Sequence, residues 1–126
     1  MLDKTNYSIP LSYTRIEETM RYAINQIEDL TEKYAVTADE YGLAEATYEI
    51  AFAEFRVQAR LEGTPDGSKV TADYAADYAT THTRAERFAL TKAKAKHDAT
   101  RQALLSVRSR LEALRSLMAS YREAGG

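Results

Sequence analysis

The stretch YAVTADEYGLAEATYEIAFAEF, residues 34–55, decides the fold because its apolar side chains recur at the spacing of an α-helix. An aromatic side chain stands at every seventh position, at Tyr34, Tyr41, Tyr48 and Phe55. Two helical turns take about seven residues, so this aromatic row lies along one side of a helix. Its neighbours are acidic, and base stacking requires exposed rings beside positive charge. The aromatic row therefore predicts packing between helices.

A second apolar row follows another side of the same helix. Val36, Leu43, Ile50 and Val57 also recur every seven residues, about 200° around the helix from the aromatic row. One partner helix can cover only one of the two rows. The sequence therefore predicts a homo-oligomer in which another subunit covers the remaining row. A four-helix monomer whose shorter helices cover both rows is the alternative.

Capping and turn signals set the predicted boundaries of the helices. Thr14 and Glu17 form a capping-box pattern, the segment GTPDGS supplies a turn, and the last two residues are glycines. The sequence predicts the following order: an N-terminal arm over 1–13 and one helical domain over 14–126, with a helix over about 14–62, a turn over 63–70 and a helix over about 71–124.

The predicted fold class is all-α, a long antiparallel helical hairpin that resembles a coiled coil. Capping-box patterns also occur inside the two predicted helices, at Thr37 with Glu40 and at Thr83 with Glu86. Two continuous helices are favoured because neither segment contains a proline. A hairpin broken into a three- or four-helix bundle stays open.

Charge is distributed unevenly along the chain. Residues 1–79 carry 7 basic and 15 acidic side chains, a net charge of -8, whereas residues 80–126 carry 10 and 4, a net charge of +6. The positive charge is concentrated in a basic row with a spacing of seven residues, namely Arg87, Lys94, Arg101, Arg108, Arg115 and Arg122. Lys92 and Lys96 lie beside it. Two interpretations are open: pairing with acids on the neighbouring helix, or an exposed surface that binds phosphate or an acidic partner.

Two groups of residues are candidates for binding. The predicted nucleic-acid-binding residues are Arg87, Lys92, Lys94, Lys96, Arg101, Arg108 and Arg115. The predicted oligomer interface combines both rows of the first helix with an apolar seam near the end of the second. Its residues are Tyr34, Tyr41, Tyr48, Phe52, Phe55, Leu43, Ile50, Val57, Leu111, Leu114 and Met118.

Residues for catalysis and metal binding are sparse. The chain has no Cys, and its two histidines, His82 and His97, do not form a metal-binding pair. No phosphate-binding glycine loop and no nucleophile elbow occurs. The sequence therefore predicts a protein that is not an enzyme and that binds no metal and no cofactor. The absence of a signal peptide and of a long apolar run predicts a cytoplasmic protein without a membrane partner.

The segments AFAEFRVQARLEG at 51–63 and RSRLEALRSLMASYREA at 108–124, with the glycine-rich turn between them, resemble the UvsY-like family of phage recombination mediators. The resemblance implies a helical homo-oligomer that binds single-stranded DNA in a bacterial or phage-infected cell. It also implies a recombinase or a single-strand-binding protein as a partner. The basic residues that match are Arg56, Arg60 and Lys69 near the turn, and Arg101, Arg108 and Arg115 on the final helix.

Other functional classes stay open. Small secreted helical-hairpin proteins share the outline, but their Trp-x-Gly turn is absent because the chain has no Trp. The main alternative is a non-enzymatic adaptor, inhibitor or structural protein that acts through protein–protein interaction. In that case the acidic first helix could act as a mimic of nucleic acid.

Overall fold

Helices account for almost all of the chain in the computed structural model, which describes residues 12–125. Helix α1 spans Tyr13–Glu62, α2 spans Ala72–His82 and α3 spans Arg84–Gly125. No strand occurs within the described range. The fold class is therefore all-α, as the sequence predicts. Most of the predicted N-terminal arm, residues 1–11, lies outside the described residues, as does Gly126.

Helix α1 begins slightly earlier than predicted because Ser12 caps it. The Ser12 hydroxyl accepts a hydrogen bond from the backbone N–H of Arg15 at 3.2 Å, and its carbonyl oxygen accepts one from Ile16 at 3.0 Å. These bonds satisfy N–H groups that have no partner inside the helix. The capping-box pattern at Thr37 starts no helix: α1 is continuous there, and the Thr37 hydroxyl donates to the Tyr34 carbonyl oxygen.

The turn after α1 uses glycine where the backbone enters the left-handed region. Gly63 and Gly67 have φ values of 77° and 76°, which glycine adopts at little cost. The N–H of Gly63 donates to the Ala59 carbonyl oxygen at 3.0 Å and closes the end of α1. This segment lies within the turn that the sequence predicts.

The second predicted helix is interrupted at Thr83, so the prediction of two continuous helices is wrong there. Helix α2 begins after Thr71, whose side chain accepts a hydrogen bond from the N–H of Tyr74. Thr83 departs from helical geometry, with φ of -112° and ψ of 26°, and its hydroxyl donates to the Ala79 carbonyl oxygen at 2.7 Å. It ends a Thr-Thr-His-Thr run in which β-branched side chains weaken helix propensity and bond to local carbonyls.

The contacts divide the chain into two compact units. The first unit contains the described residues of 12–33 and 101–125, parts of α1 and α3. Its core consists of two clusters: Ile16 with Leu114 and Met118, and Ala23 with Val107 and Leu111. Residue numbers rise along α1 as they fall along α3. The two segments are therefore antiparallel, and aliphatic side chains form the core between them.

The second unit, residues 34–100, pairs α1 with α2 and with the first part of α3. Phe55 of α1 stacks on His82 of α2 with ring centroids 5.1 Å apart. Two turns further along α1, the Tyr78 hydroxyl donates to Glu62 Oε2 at 2.9 Å. Hydrogen bonds from Gln58 and then from Tyr78 lower the pKa of Glu62. The helices of this unit are also antiparallel. Aromatic rings and hydrogen bonds join them, whereas aliphatic side chains join the helices of the first unit.

Candidate functional site

The aromatic row of α1 packs inside the chain. Tyr34 stacks on His97 of α3 with ring centroids 4.5 Å apart, and Tyr41 lies 5.9 Å from the same imidazole. Thr37 Oγ1 is 2.8 Å from His97 Nδ1. Either atom can be the donor in this contact, depending on the tautomer of His97. The rings that the sequence assigns to packing therefore pack within one chain.

The remaining aromatic residues of the predicted oligomer interface also have neighbours in the chain. Phe55 is half-buried against His82, and Tyr48 lies 5.9 Å from Phe52 with both rings half-buried. The predicted interface residues of α3, Leu111, Leu114 and Met118, are buried in the core of the first unit. Their burial is complete within one chain. The placement of the half-buried aromatic residues between chains stays a prediction.

The second apolar row of α1 is exposed. Val36, Leu43, Ile50 and Val57 are between 55% and 70% exposed. The four-helix monomer would have covered both rows, but α1 is one continuous helix and α3 and α2 pack against the aromatic row. Of the predicted interface residues, Leu43, Ile50 and Val57 are the ones that are exposed.

The basic row is exposed along its whole length. All of its members are exposed, as are Lys92 and Lys96. Among the described residues, one ion pair joins α1 to α3, from Lys96 Nζ to Glu40 Oε2 at 3.1 Å. Arg115 pairs with Glu112 of its own helix at 2.7 Å. Interhelical pairing therefore accounts for Lys96 and leaves most of the basic row facing solvent.

The last member of the basic row contacts an aromatic hydroxyl. An Arg122 guanidinium nitrogen donates to the Tyr13 hydroxyl at 3.4 Å. This hydrogen bond is the main cause that raises the pKa of Arg122, with a smaller contribution from Glu17. Arg122 therefore lies beside the beginning of α1 in the first unit.

Phe88 is an exposed aromatic residue that is not among the binding residues predicted from the sequence. Its ring is 72% exposed on α3. Arg84 and Lys92 stand four residues before and after it, and Arg87 precedes it; all three are exposed. Residues four positions apart lie within about 40° of each other around a helix. The signal in the sequence is an aromatic residue outside the apolar seam with cations at these spacings.

The combination of an exposed ring and nearby cations has a known use in proteins. Surfaces that bind single-stranded nucleic acids hold the backbone with positive charge and stack bases on aromatic side chains. The aromatic row of α1 does not meet this requirement, because its rings are partly buried beside acidic residues. Phe88 and its basic neighbours meet it.

Among the described residues there is neither a candidate metal site nor a helix that could span a membrane. No group of three or more His, Cys, Asp or Glu side chains within 12–125 is arranged to hold a metal ion. In the same range, no helix has an apolar stretch of the length needed to cross a membrane.

An open groove of about 590 Å³ in the first unit lies between Ile24 and Ile27 of α1 and Leu111 of α3, with Arg108 and Arg115 also lining it.

The resemblance to UvsY-like recombination mediators rests on the segments at 51–63 and 108–124. No protein-family model, no curated protein and no solved structure matches this chain.

Proposed function

We propose that this chain is a non-enzymatic protein that binds single-stranded DNA through α3 without sequence preference. The observation that carries the proposal is the exposed Phe88 ring with exposed Arg84, Arg87 and Lys92 around it. The cations would neutralise phosphates, and the ring would stack on a base that pairing does not occupy. A duplex keeps its bases inside the stack, so the ring favours a single strand.

The charges of the helices support the same face. Helix α3 carries 10 basic and 4 acidic residues, a net charge of +6, whereas α1 carries 5 basic and 11 acidic, a net charge of -6. A polyanion is therefore attracted to α3 and repelled by α1. Because phosphate contacts carry no sequence information, this binding tolerates any base sequence.

The biological role is proposed from the resemblance alone. The chain would act as a phage recombination mediator or accessory factor, as a homo-oligomer, together with a recombinase or a single-strand-binding protein. Its location would be the cytoplasm of a bacterial or phage-infected cell. The exposed basic row is compatible with this role, since a mediator has to hold single-stranded DNA without reading its sequence.

The test is fluorescence anisotropy of a labelled oligothymidine over a series of salt concentrations. If all six residues of the basic row contact phosphates, the log-log slope approaches about -4, from about -0.7 per contact on a single strand. Replacing Arg101 and Arg108 with Ala would flatten the slope by about 1.4. Phe88→Ala would weaken binding about 5- to 150-fold and leave the slope unchanged, because stacking contributes about 1–3 kcal/mol per base.

Leu61→Ala is the matched control for Phe88→Ala. Leu61 is 82% exposed, but it lies on α1, so its truncation should leave the affinity unchanged. No binding at about 50 mM salt would contradict the proposal, since electrostatic affinity is high under that condition. Equal competition by a duplex would also contradict it, because a duplex offers no base to Phe88.

A second function, that of an adaptor, inhibitor or structural protein, is favoured by the exposed second apolar row. Exposed apolar rows bounded by polar residues commonly mark surfaces that bind another protein. If the chain has this function, no DNA binding should occur at low salt. Leu43, Ile50 and Val57 should then be required for binding to the partner protein. The DNA titration therefore separates the two functions.

A further inference from the structure

We infer that a second copy of this chain binds the second apolar row of α1, and that the two α1 helices pair antiparallel with Ile50 on the two-fold axis. The inference concerns assembly. It does not depend on DNA binding, because the residues that carry it lie on α1 and the proposed DNA site lies on α3.

The surface around Ile50 has the pattern of a helix–helix contact. Leu43, Ala46, Ile50, Ala53 and Val57 follow one another in steps of three and four residues, and all are exposed. Steps of three and four keep side chains on one side of a helix. Large residues alternate with alanines along this central seam, so the large side chains of one copy can fit over the alanines of the other. The pattern predicts close packing between two helices.

Most of the side of α1 that carries the seam is turned away from the other helices of the same unit, and at one end Leu43 lines an open groove with Ala85 and Ala89 of α3. Tyr34, Tyr41 and Phe55 face α3 and α2, and the seam lies on the opposite side of α1 at about 100° per residue. The side chains of the seam are exposed, so no described residue of the chain buries them. A partner can therefore approach the seam without moving α2 or α3.

The charges at the two ends of the seam indicate which partner fits and in which direction. Asp39 stands 11 residues before Ile50 and Arg60 stands 10 residues after it, and both are exposed. In an antiparallel pair centred on Ile50, Asp39 faces Arg60 of the partner subunit at both ends. A parallel pair in register would place Asp39 against Asp39 and Arg60 against Arg60. Opposite charges favour the antiparallel pair, and repulsion disfavours the parallel one.

The surface is thus complementary to itself, as a two-fold contact requires. It has an apolar centre, an acid at one end and a base at the other, so a second copy satisfies all three features.

The contact from Asp39 to Arg60 is about 32 Å long at 1.5 Å per residue. One helix pair of this length lies near the lower limit of about 1,200 Å² for stable interfaces. We therefore expect a weak dimer that depends on protein concentration.

Sedimentation velocity of the full chain at concentrations from about 1 to 300 μM, the range in which weak dimers form, tests the assembly. The expected result is a shift from 14.2 kDa to twice that mass. Ile50→Glu should lower the association constant at least about tenfold, because it places two charges in the apolar centre. Phe88→Glu is the control: it adds the same charge at an exposed apolar position of α3 and should leave the dimer unchanged.

Cysteine cross-linking tests the direction of pairing, since the natural chain has no Cys. An Ile50→Cys variant should form a disulfide-linked dimer by itself, because the two-fold axis brings the two thiols together. Leu43→Cys alone should not, because its two copies would stand about 21 Å apart along the helices. A mixture of Leu43→Cys and Val57→Cys variants should cross-link.

Two results would overturn the inference. The first is a wild-type mass that stays at 14.2 kDa at the highest concentration, which would mean that a second copy does not bind the seam. Self-cross-linking of Leu43→Cys at the rate of Ile50→Cys would show a parallel pair. These results are distinct from a failure of DNA binding, since Phe88→Glu should lose DNA affinity while the dimer persists.

Discussion

At the scale of single residues, Asp66 organises the turn between α1 and α2. Its carboxylate accepts a hydrogen bond from the Ser68 N–H at 3.0 Å, and the Thr64 hydroxyl lies 2.9 Å from the same oxygen. Hydrogen bonds from Ser68, first from its hydroxyl and then from its N–H, and one from Thr64 lower the pKa of Asp66 from 3.8 to about 2. These bonds favour the charged form, so the turn prefers an ionised Asp66.

We predict that the turn loses this contribution to stability as the solution becomes acidic. The pKa of Asp66 is lower in the folded chain than the ordinary value of 3.8. The stabilisation is therefore complete above about pH 4 and is lost as the pH falls towards about 2. An NMR titration of the Asp66 carboxyl carbon should give a midpoint near 2. A midpoint near 3.8 would contradict the hydrogen-bonded turn.

Single residues also decide which cations are available to a ligand. Lys92 and Lys96 are one turn apart and are equivalent in the sequence, yet Lys96 pairs with Glu40. The sequence identified both as candidates and could not separate them, because the acid that pairs with Lys96 is 56 residues away. The sequence pattern did not identify Phe88 as a binding residue, because an aromatic residue among alanines is as compatible with a helix core as with a surface.

At the scale of the helices, two glycines are used in opposite ways. Gly42 lies in the middle of α1 with ordinary helical geometry, and a Cβ added there would meet no atom within 4 Å. Gly63 also has room for a Cβ, but its φ of 77° lies in the left-handed region. Space is therefore the same at both positions, and only the backbone conformation differs.

Gly42→Ala should raise the free energy of unfolding by about 0.5–1 kcal/mol, because alanine is the better helix former. Gly63→Ala should lower it by about 1–2 kcal/mol, because the left-handed conformation is strained for a residue with a Cβ. Urea denaturation of the two variants measures both changes, and each variant is the control for the other. The same sign of change in both would show that backbone conformation is not the deciding factor.

At the scale of the whole molecule, the two compact units have different kinds of core. Leu111 is buried among aliphatic side chains in the first unit. Tyr48 of the second unit is only half-buried beside Phe52. A fully buried side chain leaves a larger cavity when it is truncated, so equal substitutions should have unequal effects in the two units.

We therefore predict that Leu111→Ala lowers the free energy of unfolding by about 2–5 kcal/mol. Tyr48→Ala should cost less, about 1–2 kcal/mol, because solvent already reaches part of the ring. Chemical denaturation followed by circular dichroism compares the two variants. A cost for Tyr48→Ala equal to that for Leu111→Ala would mean that the aromatic row is as deeply buried as the aliphatic core, for example between two chains.

The sequence by itself determined the helices, their approximate ends and their antiparallel pairing. These features depend on local signals: the apolar spacing, a glycine-containing turn after Glu62 and the capping Thr71 act on residues close to them in the chain. The interruption at Thr83 was present as a capping pattern, but an equal pattern at Thr37 did not interrupt α1. Thr37 instead contacts His97 of another helix.

Only the tertiary structure decided which apolar row of α1 is covered. Both rows recur every seven residues and both could pack against a helix, so periodicity does not distinguish them. The imidazole rings of His97 and His82 stack on Tyr34 and Phe55 and select the aromatic row. The row that contains Ile50 is left at the surface for this reason. The choice depends on side chains that are far apart in the sequence, and local patterns carry no information about their meeting.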